Sequence, residues 1–181
     1  MTKVVIKRGG QWRLLQVFMS KAISKKDSET MSLAGKLVSE LELNASAEKY
    51  YKVFKDKVSH IPNICPNIFN KVEVHEGDWD NHGHGSIKIW NYTIDGKPEV
   101  FKEQVEFDDE KLAVILIGLE GDVFEHYKIF KGTYQVVPKD SEHCLAILTL
   151  EYEKIKDDSP YPYKYLDLMN RLTKDIEAHL K

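Results

Sequence analysis

From Lys36 to Leu43 the chain alternates, with Leu37, Ser39, Leu41 and Leu43 on one side and Val38, Glu40 and Glu42 mostly on the other. That period of two predicts a half-buried β-strand. Ser46 stands just before AEKYYKVFKD, placed to cap a short helix that turns Tyr50, Tyr51 and Phe54 inward. IPNICPNI follows, and its prolines, Pro62 and Pro66, predict a broken or short second helix. The pattern then becomes two-fold again. Phe69–Glu76, Ser86–Ile94, Glu99–Phe107, Leu112–Leu119, Tyr127–Val137 and Cys144–Lys154 each read as strands rich in Ile, Val, Tyr, Phe and Thr. Asp95-Gly96 predicts a type I′ hairpin turn, and Asp108-Asp109-Glu110 and Lys139-Asp140-Ser141 mark further tight connections. From Tyr161 to Lys181 the period is helical: Tyr161, Tyr165, Leu168, Met169, Leu172, Ile176 and Leu180 share one arc, opposite Lys164, Asp167, Arg171, Lys174 and Glu177. A helix of about 20 residues is ~30 Å long. It needs a large apolar partner, and the concave face of a sheet is the one the sequence supplies. The expected class is α+β.

Composition adds one domain's worth of core: 42% of the 181 residues are hydrophobic and 30% charged. No run approaches the ~18 to 20 apolar residues of a membrane-spanning helix. Cys65 and Cys144 fit no metal spacing and read as reduced core thiols, which favours an intracellular, cytoplasmic protein. The net charge of −3 is uneven: residues 1–30 hold seven basic side chains against two acidic ones, a balance of +5, which leaves −8 for the rest. An acidic body offers no electrostatic footprint for nucleic acid.

Residues 1–26 lack acidic side chains and mix Lys, Arg and Ser with a few apolar residues, a composition compatible with an organellar transit peptide. Arg13 interrupts any secretory apolar region, and Gly9-Gly10 breaks a basic surface helix early. SKKDSET then forms a polar linker, and Met31 resembles a start in front of a compact domain. Residues 1–30 are accordingly read as an optional basic extension, disordered or dispensable, and 31–181 as the folded unit.

The densest chemistry lies in HEGDWDNHGHG, residues 75–85. As a metal site it offers His75, His82 and His84, but the spacing matches no zinc pattern. As a phosphate loop it lacks Gly-Lys-Ser/Thr opening a helix, and its acidic side chains repel phosphate. As a connection between strands it fits throughout, since glycine accepts positive φ and Asp and Asn stabilise turns. Trp79 is placed to flank a cavity mouth or to pack on the surface. Elsewhere, Asn91 and Thr93 share a strand side with Ile87 and Ile89, which makes them candidates for anchoring a ligand. His126 and Lys128 in EHYKIF are the candidates for acid or base work, with strand alternation favouring Lys128 in solvent. No Ser-His-Asp order, Cys-His pair or paired-carboxylate spacing is present.

The order of elements, together with LAGKLVSELELNASAEKYYKVFKDK, VHEGDWDNHGHGSIKIWNYTIDGKPEVFKEQVEFDDE, GLEGDVFEHYKIFKGTYQVVPK and EYEKIKDDSPYPYKYLDL, resembles the major latex protein branch of the plant Bet v I and pathogenesis-related class ten superfamily. The resemblance covers residues 31–181. It implies a helix-grip, START-like fold: a seven-stranded antiparallel sheet wrapped round the C-terminal helix, two short supporting helices, and a large internal cavity. The 75–85 stretch occupies the place of the family's glycine-rich loop but departs from its more glycine-dense form, so no ligand contact carries over there. The resemblance further implies a carrier of hydrophobic small molecules such as sterols, hormones, fatty acids or specialised metabolites, acting in plant defence or stress. A cofactor-independent isomerase or cyclase, for example of alkaloid metabolism, and a ligand-dependent interaction module in signalling are the alternatives on the same fold. The expected cavity lining is Phe54, Ile64 and Phe69 from the short-helix region, Tyr92, Leu116, Leu148 and Leu150 from the strands, and Leu166, Met169, Asn170, Thr173 and Ile176 from the last helix. No metal or organic cofactor is expected, and the chain is expected to be a monomer or weak dimer.

Overall fold

The computed structural model describes residues 33–181 in full and strand backbone at 3–8 and 11–16. The alternating stretch near Leu37 forms β3 (Ala34–Leu43), with Leu37, Ser39 and Leu43 turned inward. Ser46 caps α1 (Ala47–Asp56), its hydroxyl facing the amide of Lys49. After one short 3₁₀ turn comes α2, a single turn over Ile61–Ile64 that begins with Pro62 in its first turn, where a missing N–H costs nothing.

Six strands follow: β4 (Phe69–Val74), β5 (Ile87–Ile94), β6 (Lys97–Asp108), β7 (Ala113–Gly121), β8 (Tyr127–Pro138) and β9 (Cys144–Lys154). With β3 they form a seven-stranded antiparallel sheet in the order β3-β9-β8-β7-β6-β5-β4. The sheet is a meander from β4 to β9, closed by β3 beside β9, and α3 (Tyr163–His179) lies across its concave face. The β5–β6 turn is the type I′ turn that Asp95-Gly96 predicts, since φ is +51° at Asp95 and +75° at Gly96. Gly121, at φ +127°, ends β7 where a Cβ would stand 2.2 Å from the carbonyl oxygen of Val100, so no side chain fits.

Three polar contacts fix α3. The Ser39 hydroxyl donates to Asn170 Oδ1 at 2.7 Å, Tyr50 and Thr173 share a hydrogen bond of 2.8 Å, and the amide of Asn44 donates to Glu177 Oε1 at 2.8 Å. They run from the middle of the helix at Asn170 to its C-terminal end at Glu177. Near the N terminus, β1 (Lys3–Arg8) pairs in parallel with β3, and β2 (Gln11–Gln16) pairs antiparallel with β1, so these two strands extend the sheet beyond β3. The rest of the basic stretch read as a possible targeting segment lies outside the described residues.

Candidate functional site: an aromatic cavity under the long helix

The interior between sheet and α3 is built from rings. Strand alternation turns Trp90 and Tyr92 inward from β5, Phe101 from β6, and Phe130 and Tyr134 from β8, while α1, β4 and α3 add Phe54, Phe69 and Tyr165. Phe54 lies 4.7 Å from Tyr134, Phe130 5.1 Å from Tyr165, and Phe69 5.4 Å from Trp90, in tilted or edge-on geometries. These rings line an apolar cavity of about 70 Å³. That is below the ~150 Å³ of an engineered cavity that takes benzene. The large void implied by the resemblance is therefore mostly filled by the chain's own aromatic side chains, and a bigger guest has to displace them.

Of the residues expected to line the cavity, Phe54, Phe69, Tyr92, Leu116, Leu150 and Met169 do so. Leu148, Leu166 and Ile176 are buried in the core away from it, and Ile64 packs against the core from the side. Asn170 and Thr173 are engaged in docking α3, on Ser39 and Tyr50. Periodicity identifies a buried face but not which part of that face meets a void.

The anchoring expectation for Asn91 and Thr93 is corrected: on β5 the buried side chains are Lys88, Trp90, Tyr92 and Ile94, and Thr93 bonds Asn70 on the surface. Both sides of IKIWNYTI carry large apolar groups, so alternation alone does not choose between them. The larger pair, Trp90 and Tyr92, takes the interior because it fills more volume there. Trp90 is the residue that sequence reasoning missed there, whereas Tyr92 was expected at the cavity.

Two carboxylates share the inner face of β6. Glu99 pairs across the ladder with Tyr92 and accepts three donors: Tyr92 Oη at 2.9 Å, Tyr165 Oη at 2.8 Å and Lys164 Nζ at 2.6 Å. Burial, joined by the negative charge of Glu99, raises both phenols well above their ordinary range, so they remain hydrogen-bond donors. Glu103, 0% exposed, sits opposite Lys88, 1% exposed. Its Oε1 accepts from Trp90 Nε1 at 3.1 Å, and its Oε2 has no partner among the described residues. Burial pushes its carboxyl up to about 7 and lowers the Lys88 ammonium. Lys88 Nζ reaches Ser86 Oγ at 2.8 Å and the His82 carbonyl at 3.1 Å.

Those bonds tie down the 75–85 stretch, which is a loop. Gly77 and Gly85 adopt positive φ, and Asp78 Oδ1 accepts from the amide of Asp80, capping a 3₁₀ turn over Trp79–Asn81. His84 Nδ1 accepts from the amide of Phe107 at 3.0 Å, and the His82 ring packs edge-on against Trp79. Trp79 is 36% exposed and does not line the cavity. Among the described residues no three His, Cys, Asp or Glu side chains converge as metal ligands.

Lys128 is exposed on the outer face, 3.4 Å from Glu153, and His126 packs edge-on against Tyr127 in the connection before β8. Neither lines the cavity. Cys65 and Cys144 are buried free thiols pushed up by burial to about 12 and about 11, so neither is a ready nucleophile.

The model of the pathogenesis-related protein Bet v 1 family matches residues 32–181. Among curated relatives, MLP-like protein 328 of Arabidopsis thaliana is 41% identical over 150 residues, 83% of this chain and 98% of that protein. Major latex protein 146 of Papaver somniferum is 38% identical over 151 residues, covering 82% and 92%. Among solved structures, ginseng major latex-like protein 151 from Panax ginseng superposes with a TM-score of 0.76 at 33% identity, covering 82% of this chain and 98% of that one. Norcoclaurine synthase from Thalictrum flavum shares the fold at a TM-score of 0.65 and 21% identity, covering 84% and 100%. A single sheet gripping one long helix over an aromatic interior, and sequence kinship along that whole unit, place the chain in the Bet v 1 family, in its major latex protein-like branch.

Proposed function

We propose that the protein binds and carries hydrophobic small molecules in the cytoplasm, in a plant defence or stress response. The observation that carries this reading is the apolar cavity under α3, lined almost wholly by rings and aliphatic groups. Binding there is driven by apolar burial, at about 25 cal/mol per Å² removed from water. Because the resting cavity is small, the ligand gains its space by turning lining side chains aside, and affinity reflects that reorganisation as well as contact area. Native mass spectrometry of protein isolated from its own tissue, followed by denaturation, tests the reading. A released small molecule is the expected result, and a clean unliganded mass that also ignores apolar fluorescent probes counts against it.

The second reading is an enzyme without cofactor. Glu103 supports it: a buried carboxyl with one unpartnered oxygen, held near neutrality beside the cavity residue Trp90, has the properties of a proton-transfer group. Lys128 and His126 stand away from the cavity; Glu103 does not line it either but bonds the indole of the lining residue Trp90, so this role passes to Glu103. Turnover abolished by Glu103→Gln with ligand binding retained is the signature of that reading.

We further propose that residues 31–181 are the self-sufficient unit. A chain starting at Met31 is expected to bind an apolar probe within about twofold of the full chain, since among the described residues no cavity residue precedes Phe54. Loss of binding on truncation would assign β1 and β2 a part in the domain's stability.

A further inference from the structure

Two strands stand at the margins of the seven-stranded antiparallel sheet, and they are built differently. β4 is six residues long and bulged between Phe69 and Lys71 against its neighbour, features that blunt an edge. β3 is ten residues long, free of proline and in unbroken register with β9 from Ala34 to Leu43. The Lys154 amide donates to the Leu33 carbonyl, which continues that register. In such a ladder the odd-numbered residues of β3 bond β9, and the even-numbered ones turn N–H and C=O to the outer edge. Lys36, Val38 and Glu40 thus present a row of strand-pairing groups, with their side chains on the outer face. The Glu42 carbonyl is satisfied from α3, by Lys174 Nζ at 3.1 Å. β1 covers the row sparingly. It meets β3 at five positions, Gly35 to Ser39, and runs parallel, the weaker of the two pairings per residue.

We propose that the outer edge of β3 is a docking surface for a second copy of this chain, joined edge to edge about a twofold axis at Val38, with β1 as the tethered cover that competes for it. Antiparallel pairing about that axis sets Lys36 of each copy opposite Glu40 of the other, and Val38 opposite its mate. All three positions carry outward N–H and C=O groups, so the contact forms about six backbone hydrogen bonds. The two Lys–Glu pairs lie directly across the strands on the outer face, where opposite charges stabilise the pairing. An axis one residue further on, at Ser39, would set Val38 against Glu40, so charge favours the Val38 register. Such a contact is self-complementary and continues one sheet into the next. Within a single chain β1 holds the edge because its tether keeps its local concentration high. The inference is independent of what the cavity binds.

Sedimentation velocity of the full chain, with amide hydrogen exchange at Lys36 and Val38, tests this. The wild-type chain is expected to be a monomer at about 50 µM with both amides protected by β1. The double variant Val4→Pro/Val5→Pro takes one N–H from each side of β1, because successive amides point to opposite neighbours. It is expected to speed exchange of both amides about tenfold at about 1 µM and to dimerise with a Kd of about 10 to 100 µM. Adding Val38→Pro removes an edge-facing N–H, leaves the β9 ladder whole and is expected to restore the monomer. In the same double variant, Lys36→Glu and Glu40→Lys each set like charges across the axis and are expected to weaken the dimer about tenfold. An equimolar mixture of those two chains restores both Lys–Glu pairs and is expected to dimerise. A double variant that stays monomeric at about 500 µM with freely exchanging amides overturns the docking surface. Dimers indifferent to Val38→Pro and to both charge changes overturn it as well. Wild-type dimers, or amides that stay protected in the double variant, overturn the proposal by removing β1 as the cover.

Discussion

Lys88→Met is expected to lower the stability of the domain by about 2 kcal/mol at pH 8, and by only about 1 kcal/mol at pH 5.5. Lys88 and Glu103 face each other across β5 and β6 with almost no solvent access. The methionine keeps the apolar stem but strips a donor from the His82 carbonyl and from Ser86, which accounts for the loss at low pH. The remainder comes from Glu103. Its folded pKa of about 7 lies above the usual 4.5, so its contribution to stability is complete below pH 4.5 and is lost as pH rises through 7. In the wild-type chain that loss amounts to about 3 kcal/mol across the window, since one pKa unit is worth 1.36 kcal/mol. Without the Lys88 charge the carboxyl holds its proton to a higher pH still, and the penalty at pH 8 grows. Urea unfolding of both proteins at the two pH values reads this directly. Equal losses at pH 5.5 and 8 would sink the idea that the pair is electrically coupled. Adding Glu103→Gln to Lys88→Met should restore most of the pH 8 stability.

That pair shows where the sequence stops being legible. The order of strands and helices follows from a period of two repeated over seven segments, one I′ turn at Asp95-Gly96 and one long amphipathic helix, while the helix-grip arrangement is what the family resemblance implies. Each of these is local. The inner face of β5 is not, because Ile87 and Ile89 on one side compete with Trp90 and Tyr92 on the other. Only pairing with β4 and β6 and the volume under α3 decide the matter. Once β5 is turned that way, Lys88 goes inside with Trp90, and the facing Glu103 together with Ser86 and the His82 carbonyl makes that burial tolerable. Asn170 and Thr173 illustrate the converse case. Their position on the inner arc of α3 suggests ligand contact, yet Ser39 and Tyr50, more than 120 residues earlier in the chain, engage them. The 75–85 loop was legible for a local reason: glycine at positive φ and an Asp cap specify a turn whatever surrounds it.

Phe130→Ala is expected to cost about 3 to 5 kcal/mol in the unliganded domain and to bind bulky apolar ligands more tightly than the wild-type chain. Phe130 touches the rings of Phe101, Tyr127 and Tyr165, at 5.9, 5.3 and 5.1 Å, so its removal takes the centre out of the aromatic cluster. On the same strand Gly132 leaves room beside Met169, whose flexible side chain alone does not fill the space. The new void adjoins the existing cavity of about 70 Å³, and together they approach the size at which a ring-sized guest fits without moving the lining. A ligand then recovers stability by mass action, about 2.7 kcal/mol at a hundredfold excess over Kd. The pair of melting curves, with and without N-phenyl-1-naphthylamine, therefore carries the argument: a large drop in Tm for the empty variant, and a larger ligand-induced rise than wild type shows. A variant that loses stability but gains no affinity would mean that ligand does not occupy the space this ring fills. The two effects have one origin, because the ring that completes the core of the empty protein stands where the guest must go.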